Sequence, residues 1–456
     1  MTLVASLSTL DFQNEETVAT LIRELDDAAK LLAKDPGERV NIGKGKELWD
    51  GLYRLWPRVA QRCLEASQPG QLDVELLCST ARFTRNLVAG TPTNQAAAFR
   101  VEPQIRSLIH YFTSFMMLQI PSVVSALHLL LQTLSNVITD NSELSSSLWR
   151  DYMAIPDDRN ILIRSLSVDD VKMSTTCFVL MLNATRDNPD SCNLFVQSKA
   201  GQRVAVTLLN RVAVLIDAPE GSPEATACDI AYQFMKPIFD LGLAVTLFDA
   251  FRIEDEPMLP HQRILLKLLD GYFHNRTVKR STEYAQGIPR LYASLTTDML
   301  ASIKRSLAAE PIVPESHLPA LAEGVVLAAQ CSQALLLQES EMPLDDRLTL
   351  RCMVKEVGSI ELTVDTLKSL DILLPRLQFG KAVPSPMAKP HVDGDEGIDP
   401  AAFPYVKRDL LRLLGTLSYE NKDVQDRMRA CGGIEVVMNH CVVDESNPCT
   451  SISLGR

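Results

Sequence analysis

Apolar residues recur at spacings of three and four along most of the chain. The pattern is clear in "VATLIRELDDAAKLLAK" from Val18, "VELLCSTARFTRNLV" from Val74, "VVSALHLLLQTLSNVI" from Val123 and "RILLKLLDGYF" from Arg263. Such spacing gathers the apolar side chains on one face of an α-helix, whereas alternating strand patterns bounded by hairpin turns are absent. Pro and Gly act as punctuation between the predicted helices. Breaks fall at "PTN" from Pro92, "DAPEGSPEA" from Asp217, "EDEPMLPH" from Glu254 and "GKAVPSPMAKPHVDGDEGIDP" from Gly380. The last is the longest and most polar. It predicts a flexible linker over 380–400, between a helical region over 1–379 and a C-terminal segment over 401–456.

One design repeats within the helical pattern. "TRNLVAGTPTNQ" (Thr84–Gln95), "LSNVITDNSEL" (Leu134–Leu144), "MLNATRDNPDSCNLF" (Met181–Phe195) and "LGTLSYENKDVQ" (Leu414–Gln425) each run from an apolar helix end through a polar break into a new helix. Asn86, Asn136 and Asn183 mark the helix ends at separations of 50 and 47 residues, and Thr416 takes that place in the fourth copy. The separation is close to the period of roughly 40–47 residues of HEAT and armadillo units. "SKAGQRVAVTLL" from Ser198 also resembles "RACGGIEVVMNH" from Arg429, with Gly201, Gly432 and Gly433 expected to make the tight turn between a short first helix and a second. The predicted fold is all-α, an armadillo/HEAT-like α-solenoid in which stacked helical repeats form a right-handed superhelix. A single repeat cannot bury its apolar face alone, so neighbours stack and leave an extended surface for partners.

Composition narrows the partners. Of 456 residues, 46% are hydrophobic and 22% charged, enough to fold and too few charges for a disordered chain. A net charge of −12 repels phosphate backbones and anionic lipid, and the only basic run is "VKRS" at Lys279. Neither nucleic acid nor membrane is expected as a partner. "TLVASLSTLDFQNEE" after Met1 lacks the basic start of a secretory leader. The apolar run Leu318–Leu337 carries Glu323, Gln330 and Gln333, which predicts a buried helix rather than a membrane span. Ten cysteines without a CxxC pair predict reduced, buried thiols and a cytoplasmic protein.

No reaction centre is legible. "NIGKGKE" from Asn41 lacks the spacing of a phosphate loop and reads as a solvated turn. Cys431, His440, Cys441 and Cys449 are metal-ligand types at spacings outside the paired patterns, so structural thiols are the better reading. No catalytic residue, cofactor or metal is expected, and the chain reads as a non-enzyme. The three asparagines carry two readings. They could form a ladder gripping the backbone of an extended peptide, or each could bond backbone where its helix ends. The tryptophans that flank such a peptide groove are replaced one turn earlier by Arg82, Gln132 and Val179. Thr91-Pro92, Ser222-Pro223 and Ser385-Pro386 are loop steps that a proline-directed kinase could modify.

The segment "FPYVKRDLLRLLGTLSYENKDVQDRMRACGGIEVVMNHCVVDESNP" (Phe403–Pro448) carries a more specific signature. Its Lys407-Arg408-Asp409 helix entry, Asn421 with Asp423, Gln425-Asp426, Gly432-Gly433-Ile434, and Asp444 with Ser446-Asn447-Pro448 resemble the C-terminal domain of the ataxin-10 family, most strongly its fungal branch. "PHQRILLKLLDGYF" from Pro260 resembles the family's middle region. The resemblance implies an armadillo-like, cytoplasmic, non-enzymatic scaffold, linked to cytokinesis and cell division in fungi and to neuronal survival in animals. Lys407, Arg408, Asn421 and Gln425 thus join Asn86, Asn136 and Asn183 as expected partner contacts. The expected partners are other proteins, with cell-division kinases and G-protein components as candidate classes. The alternative function is an armadillo-type regulator or exchange factor of a G protein, by fold analogy. Thr416 departs from the asparagine of armadillo-type units. The family pattern continues past Asn-Pro into another long helix, whereas "CTSISLGR" closes this chain at Arg456, so a truncated or alternatively spliced form with an uncapped last unit, open to self-association, is expected.

Overall fold

The structure is a computed structural model, described for residues 2–65, 68–275, 282–309, 313–383 and 399–447. Helix accounts for 77% of it, as an all-α helical-repeat solenoid requires. The predicted helices are present with their ends extended: Glu15–Lys34, Gln71–Val88, Pro121–Ile138 and Pro260–His274 contain the four quoted patterns. Polar side chains set the starts. Asn14, Asp35, Asn141, Asn160, Asp170, Asn188 and Ser198 each accept a hydrogen bond from the first turn they precede. Proline also starts helices, at Pro92, Pro121, Pro189 and Pro260. The punctuation rule fails at Pro57, Pro237 and Pro289, which lie inside helices.

The chain forms two compact units, Met1–Ile238 and Phe239–Arg456, and the division falls in the last turn of helix Pro223–Asp240. In the first unit, three-helix repeats follow one another. One is Pro92–Phe99, Glu102–Phe112 and Pro121–Ile138; the next is Ser142–Ala154, Ile161–Leu166 and Val171–Thr185. Glu15–Lys34, Gln71–Val88, Pro121–Ile138 and Val171–Thr185 pack side by side in that order. Trp56, Phe83, Phe112, Trp149, Phe178 and Phe195 are fully buried between them.

The repeat is visible in backbone geometry. Helices ending at Val88, Ile138, Thr185 and Ser418 are each followed by one extended residue, one left-handed residue and one N-cap. The left-handed residues are Gly90 (φ 65°), Asp140 (φ 54°), Asp187 (φ 52°) and Glu420 (φ 49°), and the caps are Thr91, Asn141, Asn188 and Asn421. Asn86, Asn136, Asn183 and Thr416 each stand two residues before their helix ends. The fourth copy therefore repeats the turn of the first three.

The glycines depart from expectation. Of Gly201, Gly432 and Gly433, only Gly432 is left-handed (φ 76°), as cap of helix Gly433–Asn439. Gly201 lies inside helix Lys199–Leu215, where a Cβ would stand 2.1 Å from the Phe195 carbonyl oxygen. Gly433 has the same role, its Cβ position 2.9 Å from the Met428 oxygen. Both are needed for close approach of a second helix to a first, not for a turn. Gly43 ends helix Pro36–Gly43 against Asn94, and the "NIGKGKE" stretch turns at Lys44-Gly45 into the next helix with Asn41, Lys44, Lys46 and Glu47 exposed.

In the second unit, helix Leu318–Leu337 is the hub, packing on Pro260–His274, Tyr284–Ala308 and Val406–Ser418. It and Pro121–Ile138 are, among the described residues, long and apolar enough to cross a membrane, and both are mostly buried in the protein. The polar residues of the hub bind its neighbours. Glu323 pairs with Arg263 (2.8 Å) and Lys267 (2.9 Å), and Gln330 and Gln333 donate to the Asp409 side chain and carbonyl. A short hairpin, Arg376–Gln378 with Lys381–Val383, was not expected. Its turn residues Phe379 (φ 50°) and Gly380 (φ 71°) are both left-handed. Residues 384–398 of the expected linker, the 278–281 basic run, Ser385-Pro386, Cys449 and the last residues from Pro448 lie outside the described residues.

Candidate partner-binding surface

Three half-buried asparagines form a ladder across the third helices of the first unit. Asn86 Nδ2 donates to the Ala29 carbonyl of helix Glu15–Lys34 (2.9 Å), and Asn136 Nδ2 donates to the Arg85 carbonyl of helix Gln71–Val88 (3.1 Å). Asn183 Nδ2 donates to Ser135 Oγ and Thr139 Oγ1, both at 2.9 Å, at the end of helix Pro121–Ile138. Each amide thus reaches back one repeat. It does not bond the end of its own helix, because a residue two positions from the terminus faces the neighbouring helix. Such bonds contribute about 0.5–1.5 kcal/mol each. The oxygens differ. Asn86 Oδ1 accepts from Arg85 Nε (3.1 Å), whereas Asn136 Oδ1 and Asn183 Oδ1 accept nothing among the described residues.

The row one turn earlier is polar at one end and apolar at the other. Arg82 pairs with Asp26, and Arg85 donates to Gln132 across the helix boundary; burial lowers the Arg85 pKa. Val179 is half-buried on helix Val171–Thr185. In the fourth repeat copy, Thr416 Oγ1 donates to Arg412 O (2.9 Å) in its own helix, so no cross-repeat amide exists there.

In the second unit, the signature residues of the C-terminal segment build a polar lock. Lys407 is buried. Its Nζ lies 3.7 Å from Asp444 Oδ2 and 3.9 Å from Asp371 Oδ1, and it donates to the Leu374 carbonyl at 3.5 Å. Desolvation lowers its pKa despite the two carboxylates. Arg376 donates to both oxygens of Asp371 (3.0 and 3.3 Å) and to the Asn439 carbonyl (3.0 Å). His440 packs on the same carboxylate, and burial lowers its pKa too. Residues 444–447 form a strap over this lock. Asp444 Oδ1 accepts from the Leu377 and Ser446 amides (both 3.2 Å), the Glu445 amide donates to Leu377 O (2.8 Å), and Asn447 Oδ1 accepts from the Lys407 amide (2.9 Å).

The other expected contacts are closer to the surface. Arg408 stacks over the Tyr405 ring (4.1 Å) and pairs with Asp409 (2.8 Å). Asn421 caps its helix through the Val424 amide, and Gln425 Nε2 donates to Ser418 O (2.9 Å). The ladder lies in the first unit, and Lys407, Arg408, Asn421 and Gln425 lie in the second. Sequence reasoning missed Asp371 and Arg376, which lie outside the recognised segment; a buried acid near the end of a helix pattern gives no signal of its partner.

A family model described as "Spinocerebellar ataxia type 10 protein domain" matches residues 406–451, which include Lys407, His440 and the strap. The ataxin-10 homolog of Kluyveromyces lactis is 47% identical over 51 residues, 11% of this chain and 10% of that protein. That of Dictyostelium discoideum is 52% identical over 42 residues, 9% and 7% of the two chains. Human ataxin-10 is 23% identical over 357 residues, 72% of each chain. The chain carries an ataxin-10 family domain over 406–451 and is similar to ataxin-10 proteins over most of its length. Identity is higher in the short matches than over the long alignment, where many apolar sequences satisfy the same helix packing.

Burial raises the thiols of Cys63, Cys177 and Cys192 to about 12 and that of Cys78 to about 11, which holds them as unreactive thiols at neutral pH. Cys352 and Cys441 are exposed, contrary to the expectation that the thiols are buried. Ser302, Glu315 and His317 come together, but Glu315 Oε2 and Ser302 Oγ both face His317 Nε2, at 3.2 and 3.4 Å. A relay needs the acid on one ring nitrogen and the hydroxyl on the other. Glu315 instead binds Arg305 and the Ser302 hydroxyl, which lower its pKa to about 2.

Proposed function

We propose that the chain is a non-enzymatic protein-interaction scaffold of the ataxin-10 type, acting in the cytoplasm in cytokinesis and cell division. Similarity to ataxin-10 proteins supports the class of protein. The observation that carries the binding reading is the asparagine ladder, in which half-buried amides at repeat spacing hold the repeats together through their nitrogens while two oxygens take no bond from the described residues. Acceptors fixed at repeat spacing suit the backbone N–H groups of an extended peptide. The surface residues Arg408, Asn421 and Gln425 of the second unit are a separate candidate contact region.

Affinity purification from dividing cells tests the proposal. The chain is compared with a version carrying Asn86→Ala, Asn136→Ala and Asn183→Ala, with helicity and melting checked first. A discrete set of cell-division proteins lost from the folded variant, together with failure to restore division in depleted cells, is the expected result. A folded variant that keeps every partner and restores division overturns the ladder as the binding surface.

A further inference from the structure

Two bulky aromatic residues of the second unit hold left-handed backbone conformations, which β-carbon sterics make costly for such side chains. Phe379 (φ 50°) sits at the tip of the short hairpin, and Tyr405 (φ 65°) caps helix Val406–Ser418. Consecutive residues of the strap fasten both. The Glu445 carboxylate accepts from the Phe379 amide (2.8 Å) and the Gly380 amide (3.1 Å), and the Ser446 carbonyl accepts from the Tyr405 amide (3.0 Å). Gln378 Nε2 also donates to the Val443 carbonyl (3.0 Å).

What this arrangement presents is apolar. Phe379 is 90% exposed, Val443 61% and Tyr405 45%. A turn with left-handed φ at both central residues is normally given to Asn-Gly or Asp-Gly, so the ring at 379 is not there for the turn. Nor is it there for the core. Strained backbone that the surroundings over-determine, with its side chain in water, marks a functional position.

We propose that Phe379 is a rigid aromatic docking point for a protein partner that carries an apolar pocket with a basic rim. A projecting ring needs a concave acceptor, and aromatic anchors of this kind dominate interface energetics. The basic rim follows from charge complementarity: the exposed Glu445 carboxylate lies directly beneath the Phe379 turn, on a chain of net charge −12. The proposal deepens the scaffold reading and rests on it for the partner being a protein. It uses a surface in the second unit that the asparagine ladder does not include.

The experiment places a photo-crosslinking phenylalanine analogue at position 379 of the full chain in dividing cells, and then measures binding of the crosslinked protein, purified, to the chain and its variants. Phe379→Asn suits the turn and leaves the fold at least as stable, so a loss of binding in it is not a loss of folding. The expected result is a crosslinked partner whose affinity falls about thirty-fold with Phe379→Asn, is kept with Phe379→Tyr, and weakens with added salt. Absence of a specific crosslink, a crosslink to a second copy of the chain, or binding unchanged in Phe379→Asn overturns it. Retention of that partner by the triple asparagine variant keeps this outcome separate from that of the ladder.

Discussion

Replacing Lys407 by Met tests whether the buried lysine of the signature segment is structural. The methionine keeps the apolar stem and removes the ammonium. Breaking a buried pair by deleting one partner costs about 3–5 kcal/mol. The low end applies here. Asp371 retains both contacts from Arg376, and Asp444 retains the Leu377 and Ser446 amides together with the Asn447 amide group (3.3 Å). A loss of about 3 kcal/mol is about a hundredfold in an equilibrium constant. Native-state hydrogen exchange reads it at the amides that close the strap, those of Leu377, Lys407 and Glu445. They are expected to lose protection about a hundredfold in Lys407→Met, while amides in the first unit are unchanged. The double variant Lys407→Met with Asp444→Asn removes both charges and should recover most of the loss. Strap protection within twofold of the parent in Lys407→Met would refute the lock.

Other outcomes follow from the repeat geometry and the buried groups. Gly201→Ala drives a Cβ to 2.1 Å from a backbone oxygen and should cost at least about 3 kcal/mol in denaturant unfolding, clearly more than Gly433→Ala, where the nearest atom is the movable Met428 Cγ at 2.6 Å. Glu420→Gly relieves a left-handed glutamate and should raise stability by up to about 1 kcal/mol, and Gly90→Ala should lower it by about the same amount, both read as shifts in denaturation midpoint. The thiols of Cys63, Cys177 and Cys192 ionise near 9 when unfolded and near 12 when folded, so the folded state holds their protons longer. Stability should therefore fall as pH rises above about 9, and replacing the three with Ala or Val should flatten that slope.

The helices were legible because their apolar faces are nearly uninterrupted, and the repeat was legible because one turn recurs with a helix-end asparagine and a capping residue at fixed offsets. Asn86, Asn136 and Asn183 were correctly aligned with Thr416 for that reason. What each does was not legible, since periodicity gives the face of a residue and not the atom it meets on the next repeat. Gly201 was misread for a related cause. Glycine serves left-handed turns and close contacts alike, and the contact with Phe195 depends on how two helices cross. The hairpin at 376–383 was missed because three-residue strands leave too short an alternation, and because Phe379-Gly380 is not a standard pair for its turn. Lys407 and Asp444 were recognised as signature residues, but their shared counterion chemistry with Asp371 joins positions far apart in the chain.

The bond each ladder asparagine makes follows from the two-sided chemistry of its amide. An amide side chain has a donor and an acceptor on opposite arms, and burying one arm between helices fixes the direction of the other. In Asn136 and Asn183 the nitrogen is committed to the preceding repeat and the oxygen takes no bond from the described residues. Serine or threonine at the same place has a shorter side chain, whose hydroxyl can bond the carbonyl one turn back in its own helix. Thr416 illustrates the consequence: its hydroxyl turns back to Arg412 O within its own helix. The cross-helix contacts of that repeat come instead from charged and backbone groups, Arg427 to Glu361 (2.8 Å) and Lys368 to the Cys431 carbonyl (2.8 Å). Stacking in the last described repeat is held by bonds that leave no ordered row of acceptors. A peptide following the ladder would run along the first unit, and the second unit would engage partners through different chemistry.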